Sequence, residues 1–173
     1  MDVVATFMGL HAVPPEFSGN PDGYVDLIVD EMLPAVESQG IARFADVFCE
    51  KGVFTPEQSR RVLVEAKRRG LGAKVHADEL APSGGAELAA DVGAISAEHL
   101  MMASNRGLEL MRDAGCIAVL LPGTPFFLGG HGYAPARKMI DMGLPVAIGT
   151  DFNPGSCTLQ SVPLAMTIAC TQM

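Results

Sequence analysis

The stretch whose reading decides the fold is "GAKVHADEL", residues 72–80. An apolar run ends on His76, and two acids, Asp78 and Glu79, follow at once. Groups this polar cost free energy if buried without partners. The run itself is short enough for a strand buried on both faces. Beyond it lie a turn with Ser83 as a candidate helix cap and the helical stretch "GGAELAADVG". The local unit is therefore strand, polar end, turn, helix.

The same unit recurs along the chain. The six apolar runs are "VVATFMGLH", "RFADVFCE", "GAKVHA", "GAISAEHL", "CIAVLLPG" and "PVAIGTDF". Helix punctuation stands between them. Thr55-Pro56-Glu57-Gln58 is a capping box with proline at the first helical position, and Gly70 stops that helix after a basic last turn. Ser104 is a further candidate cap, Gly93 and Gly115 are candidate stops, and Pro135 opens a helix that closes at Gly143. Residues 22–38 read as a helix that Pro34 should kink or shorten.

Strands alternating with helices predict an α/β protein with a parallel sheet, either an open doubly wound sheet or a closed barrel. The sequence contains no G-x-G-x-x-G and no P-loop, so nothing favours a nucleotide-binding sheet. A second regularity favours the barrel. Polar residues stand where the apolar runs end: His11, His76, His99 and Asp151. In a β/α barrel every strand points its C-terminus at one mouth, so these side chains would converge. Six units make about three quarters of a (β/α)8 TIM barrel, which takes eight strands. No linker divides the chain, and residues 1–173 are expected to be one incomplete barrel.

Composition narrows the function. The chain has 173 residues, 49% of them hydrophobic and 18% charged, with a formal charge of −8. Mean hydropathy is +0.27. There is no basic stripe, so no nucleic-acid partner is expected, and no apolar run long enough to span a bilayer, so no membrane partner is expected either. Four cysteines are scattered without a C-x-x-C pair, which points to no zinc knuckle and no disulfide framework, and a reducing cytoplasm is the simplest home.

Each candidate residue carries two readings. His76 is either a core histidine satisfied by a carbonyl or a ligand, since histidine and carboxylate at one mouth suit a borderline divalent metal. Glu79 is either a solvated loop acid or a general acid/base. His99 is either a satisfied imidazole or a group that polarises a carbonyl. Asp151 opens "DFNPGS", which is also the pattern of an Asx turn. Its functional reading is a metal ligand or proton acceptor, with Asn153, Gly155 and Ser156 offering donors to an anionic group. His131, in a glycine-rich loop, reads as structural or surface. Serine or cysteine hydrolysis is disfavoured, because there is no G-x-S-x-G elbow and no cysteine has a histidine nearby in sequence.

The ordered set "HADE" at 76–79, "GGAELAADVGAISAEHL" at 84–100, "VLLPGTPFFL" at 119–128 and "TDFNPGS" at 150–156 resembles the imidazolonepropionases of the amidohydrolase superfamily. "FMGLHAVPPEF" at 7–17 and "YVDLIVDEMLPAV" at 24–36 fit the same family. The resemblance implies a (β/α)8 barrel with a flanking β-sandwich domain and one metal, zinc or iron. It implies opening of 4-imidazolone-5-propanoate by water to N-formimidoyl-L-glutamate, a step of histidine degradation. His76 and Asp151 become metal ligands, Glu79, His99 and Asp151 the catalytic groups, and His11, Glu79, Asn153, Gly155 and Ser156 the substrate contacts. Asp78 is expected to be structural or to act through its neighbours. The family's first-strand H-x-H is not among the four histidines, so an internal piece of a longer enzyme is expected, and a homodimer of the full-length enzyme is the one macromolecular partner allowed for. A heterocycle deaminase, or a non-catalytic barrel fragment that assembles with another segment, are the alternatives.

Overall fold

The computed structural model describes residues 2–130 and 132–173; His131 lies outside the described residues. Among the described residues the strands are β1 (Ala5–Leu10), β2 (Ala42–Cys49), β3 (Gly72–Ala77), β4 (Ser96–His99), β5 (Ile117–Leu120) and β6 (Val146–Ile148). They form one sheet in the order β1-β2-β3-β4-β5-β6, every pair parallel. Each coincides with one of the six apolar runs, β2 starting at Ala42, one residue before its run. Sequential parallel order with a helical crossover at each step is a partial (β/α)8 barrel, here with β1 and β6 at its two open edges.

The helices form where the punctuation places them. They are α1 (Pro21–Leu27), α2 (Leu33–Gln39), α3 (Pro56–Arg68), α4 (Gly85–Asp91), α5 (Asn105–Asp113), α6 (Gly123–Leu128), α7 (Ala136–Asp141) and α8 (Val162–Gln172). The capping box at Thr55 and Gln58 is present in both directions, and Ser104 accepts from the Gly107 N–H. α3 buries Ser59, Val62, Leu63 and Ala66, one stripe at helical spacing. Pro34 does disturb its helix. It can donate no hydrogen bond and crowds the carbonyl four residues back, and between α1 and α2 the chain widens into a π-helical turn, Ile28–Met32, so the helical path continues with a bulge.

One cap differs from expectation. Gly84, not Ser83, holds the N-cap position of α4, and no side chain of that residue caps it. The carboxylate of Asp78 does so from a distance. Its Oδ1 accepts from the N–H groups of Ser83, Gly84 and Gly85, and its Oδ2 from that of Ala86. This is the favourable end of a helix for a negative charge. The helix also comes very close to β3: a Cβ on Gly85 would stand 2.7 Å from the Ala77 Cβ, so only glycine fits.

The two faces of the sheet differ in chemistry. Ala45, Val47, Cys49, Ala73, Val75, Ala77 and Ala97 are buried in the apolar core shared with the helices. Each Val so buried contributes roughly 1.5–3 kcal/mol. The alternate residues turn to the barrel interior. There Lys74 Nζ lies 2.6 Å from Glu98 and 5.9 Å from the centre of the Phe44 ring, and His76 meets Asp46. The polar chemistry of the fold is concentrated on this second face and at the strand ends above it.

Candidate active site

Strand alternation alone would not gather the residues at the mouth. Ser96 and Glu98 face the interior, so parity sends His99 toward the helices. His99 instead has φ +72°, and Leu100, Asp78 and Asp151 are also left-handed, at +60°, +50° and +53°. Such backbone is costly for residues other than glycine, Asn and Asp and marks sites where the chain is being re-aimed. At His99 it turns the ring to within 5.2 Å of the His76 ring, centroid to centroid. At Asp78 it does the reverse, sending the carboxylate out to α4.

The result is a cavity of about 270 Å³ lined by Met8, His11, Phe48, His76, Glu79, His99, Asp151, Asn153 and Ser156. Of the residues singled out in the sequence, the structure brings together His11, His76, Glu79, His99, Asp151, Asn153 and Ser156. Gly155 is not in the lining, and its N–H, like that of Ser156, is donated to Asn153 Oδ1 at 2.8 Å. Asn153 Nδ2 in turn donates to the Asp151 carbonyl. The Asx turn read as an alternative is therefore real, but its carboxamide belongs to Asn153, which leaves the Asp151 carboxylate free for the cavity. One of its oxygens, Oδ2, accepts from the buried Thr124 hydroxyl at 2.6 Å.

Donor atoms of His76, His99 and Asp151 all lie within 4.8 Å of one another, and so do those of His11, Asp46 and His76. Imidazole and carboxylate are the donor set of a borderline divalent cation. His99 Nδ1 is buried without a hydrogen-bond partner, and its Nε2 lies 3.5 Å from Glu79 Oε2. Burial, with the His76 charge adding to it, holds the His99 imidazole down to about 3, so the ring is neutral. Burial, with Asp151 adding like charge, pushes the Glu79 carboxyl up to about 7. Glu79 is fixed by its backbone: its N–H, and that of Leu80, donate to Oε2 of the buried Glu50.

Asp46 was not among the residues singled out. It is buried on β2, and its Oδ1 receives His76 Nδ1 at 2.8 Å and His11 Nε2 at 3.2 Å. Burial works against its ionisation, but the two hydrogen bonds prevail and hold it below the usual carboxylate range. The signal in the sequence was an acid in mid-run, in "RFADVFCE", where burial without a partner is costly. Its partner stands thirty residues on, and only the β2–β3 register, which sets Asp46 beside Lys74 and Phe48 beside His76, joins them.

No family model matches the chain. An imidazolonepropionase of Geobacillus kaustophilus is 58% identical over 173 residues, which is 100% of this chain and 41% of that protein. The chain is similar throughout its length to imidazolonepropionases. The relative from Brevibacillus brevis has the same figures: 58% identity, 100% of this chain, 41% of its own. The chain thus spans about two fifths of the imidazolonepropionases it matches. Among solved structures, a guanine deaminase from C. acetobutylicum with bound guanine superposes with a TM-score of 0.66 over 94% of this chain and 43% of that one, at 16% identity. That likeness shows the barrel fold and no more. No helix among the described residues is long and apolar enough to cross a membrane.

The match supplies a frame for experiments: a chimera in which residues 1–173 replace the corresponding stretch of the Geobacillus kaustophilus imidazolonepropionase. In it, Asp78→Ala is expected to destabilise the fold by about 1–3 kcal/mol, because four N–H groups at the start of α4 lose their acceptor. A urea midpoint equal to that of the unaltered chimera would show that water replaces the carboxylate at no cost.

Proposed function

We propose that this chain is the catalytic stretch of an imidazolonepropionase, an incomplete barrel whose first strands and flanking β-sandwich domain belong to the longer protein. The reaction is hydrolysis of the ring amide of 4-imidazolone-5-propanoate to N-formimidoyl-L-glutamate. What carries the reading is the match along all 173 residues to a 58%-identical imidazolonepropionase, in a fold that brings His76, Glu79, His99 and Asp151 to one cavity. The partner of the site is then a small anionic heterocycle, which a cavity of about 270 Å³ suits.

The donor chemistry fits a single cation, zinc or iron, held by His76 and Asp151 together with ligands from the longer protein. When bound, such a cation would polarise the ring carbonyl and lower the pKa of a coordinated water from 15.7 to about 7. The chain's own residues do the rest. Asp151 accepts a proton from the attacking water as the oxygen–carbon bond forms. It passes that proton to the ring nitrogen as the carbon–nitrogen bond breaks, so atoms and charge balance. Thr124 holds Oδ2 and keeps the carboxylate in one orientation for both transfers. His99, neutral and buried, offers an N–H to the carbonyl oxygen without adding a fixed charge. Glu79 contacts the ring and orients the water, and a carboxyl that titrates near 7 can hold or release a proton at neutral pH. His11, Asn153 and Ser156 are assigned to the substrate from the cavity wall, with Gly155 acting through the turn it shares with Asn153.

The chimera is expected to consume 4-imidazolone-5-propanoate and release N-formimidoyl-L-glutamate, identified by mass spectrometry. A folded, metal-loaded chimera with no turnover beside an active parent would overturn the reading. Glu79→Gln in the chimera should lower kcat by roughly 10²–10⁴, the usual worth of a positioned acid/base group. If KM alone rises, Glu79 binds the ring and transfers no proton.

A further inference from the structure

We propose that Asp46 is a positioning residue that sets the tautomers of two histidines at once, and so determines what each presents to the cavity; the metal part of this rests on the function proposed above. An ionised carboxylate only accepts hydrogen bonds. Its Oδ1 stands 2.8 Å from His76 Nδ1 and 3.2 Å from His11 Nε2. Each ring must therefore turn an N–H toward Asp46. In its neutral form, the form that can bind a cation, His76 is then the Nδ1–H tautomer, with the lone pair on Nε2. His11 is the Nε2–H tautomer, with the lone pair on Nδ1. The first leaves Nε2 of His76 as a ligand atom for the cation. The second makes His11 an acceptor, matched to an N–H of the substrate ring rather than to its carbonyl or its carboxylate.

The alternative, that His11, Asp46 and His76 are themselves a cation site, conflicts with the distances. Ligands of a tetrahedral zinc at 2.0–2.1 Å from the metal stand about 3.3 Å apart. At 2.8 Å, His76 and Asp46 are closer than that and have a proton between them. The edge-on stacking of the two rings, 80° at 4.6 Å, further fixes the plane in which each nitrogen lies. A carboxylate behind a ligand histidine orients the ring and raises its basicity, and here one oxygen does this for a ligand and a substrate contact together.

The test begins without any substitution, on the metal-free chimera labelled with ¹⁵N-histidine above neutral pH. His76 is expected to show a protonated Nδ1 and an unprotonated Nε2, and His11 the reverse, with assignments from His76→Gln and His11→Gln. Asp46→Asn offers both a donor and an acceptor in the same volume. It should mix both tautomers and weaken zinc binding, measured by chelator competition, by roughly 10–100-fold. The opposite tautomers in the unaltered chimera, or an unchanged zinc affinity in Asp46→Asn, would overturn the proposal. So would His11→Gln weakening zinc as much as His76→Gln, which would make the group a cation site. Absence of turnover in the unaltered chimera would instead count against the proposed function, since neither the tautomers nor the zinc affinity is read through catalysis.

Discussion

Asp151→Asn in the chimera is expected to lower kcat by roughly 10²–10⁴, the range for removal of a positioned proton-transfer group, with folding nearly unchanged. The reason lies in which oxygen is engaged. Oδ2 receives the Thr124 hydroxyl at 2.6 Å, so an asparagine would keep its oxygen there and point its NH₂ at the reacting water. A donor would then stand where an acceptor is required. The backbone should not suffer, because Asp151 sits at φ +53° and Asn is as tolerant of that region as Asp. The measurements are kcat, metal content by mass spectrometry and the circular dichroism spectrum. Near-full kcat with normal metal content would remove Asp151 from the proton path.

This residue also shows how far the sequence could be read. Asp151 and His76 were visible because they end apolar runs, and a parallel strand order makes run ends neighbours. The six strands were visible as short apolar runs with helix punctuation between them. His99 was placed correctly for a reason the alternation of a strand does not contain. Parity puts it on the helix side, and only a left-handed backbone, adopted after β4 at a residue with a Cβ, returns it to the mouth. Asp78 and Glu79 stand next to each other in sequence, yet one caps α4 and the other faces the cavity, and that division also depends on a local φ. Ser83 carried the cap signal, but a carboxylate five residues earlier took the role, which a pattern of adjacent residues cannot express. Glu50 and Thr124 were not legible at all, and Asp46 showed only as an acid in mid-run with no visible partner. Each acts on a residue at least twenty-seven positions away, through a sheet register or a loop packing that no local pattern encodes.

Expressed alone, the 173-residue polypeptide is expected to associate and to hold metal poorly. Among the described residues β1 pairs only with β2, and β6 only with β5. Both outer edges therefore present unpaired N–H and C=O groups, the arrangement that templates pairing with another chain. Apolar side chains stand exposed close to both. Val3 and Val4 lead into β1, while Ile148 ends β6 and Val162, Leu164 and Met166 lie on α8 beside it. A surface of this kind favours association over a stable monomer. The cation has the same difficulty. A catalytic zinc takes three protein ligands, and His76 and Asp151 are two, with no H-x-H in the sequence to complete the set. Its affinity should fall by more than the roughly 10–100-fold that losing one supporting partner costs. Sedimentation, metal analysis and the imidazolonepropanoate assay on the purified polypeptide decide the matter. A stable monomer with stoichiometric metal and measurable turnover would mean that six β/α units with open edges suffice, and that the ligands of the cation lie wholly within them.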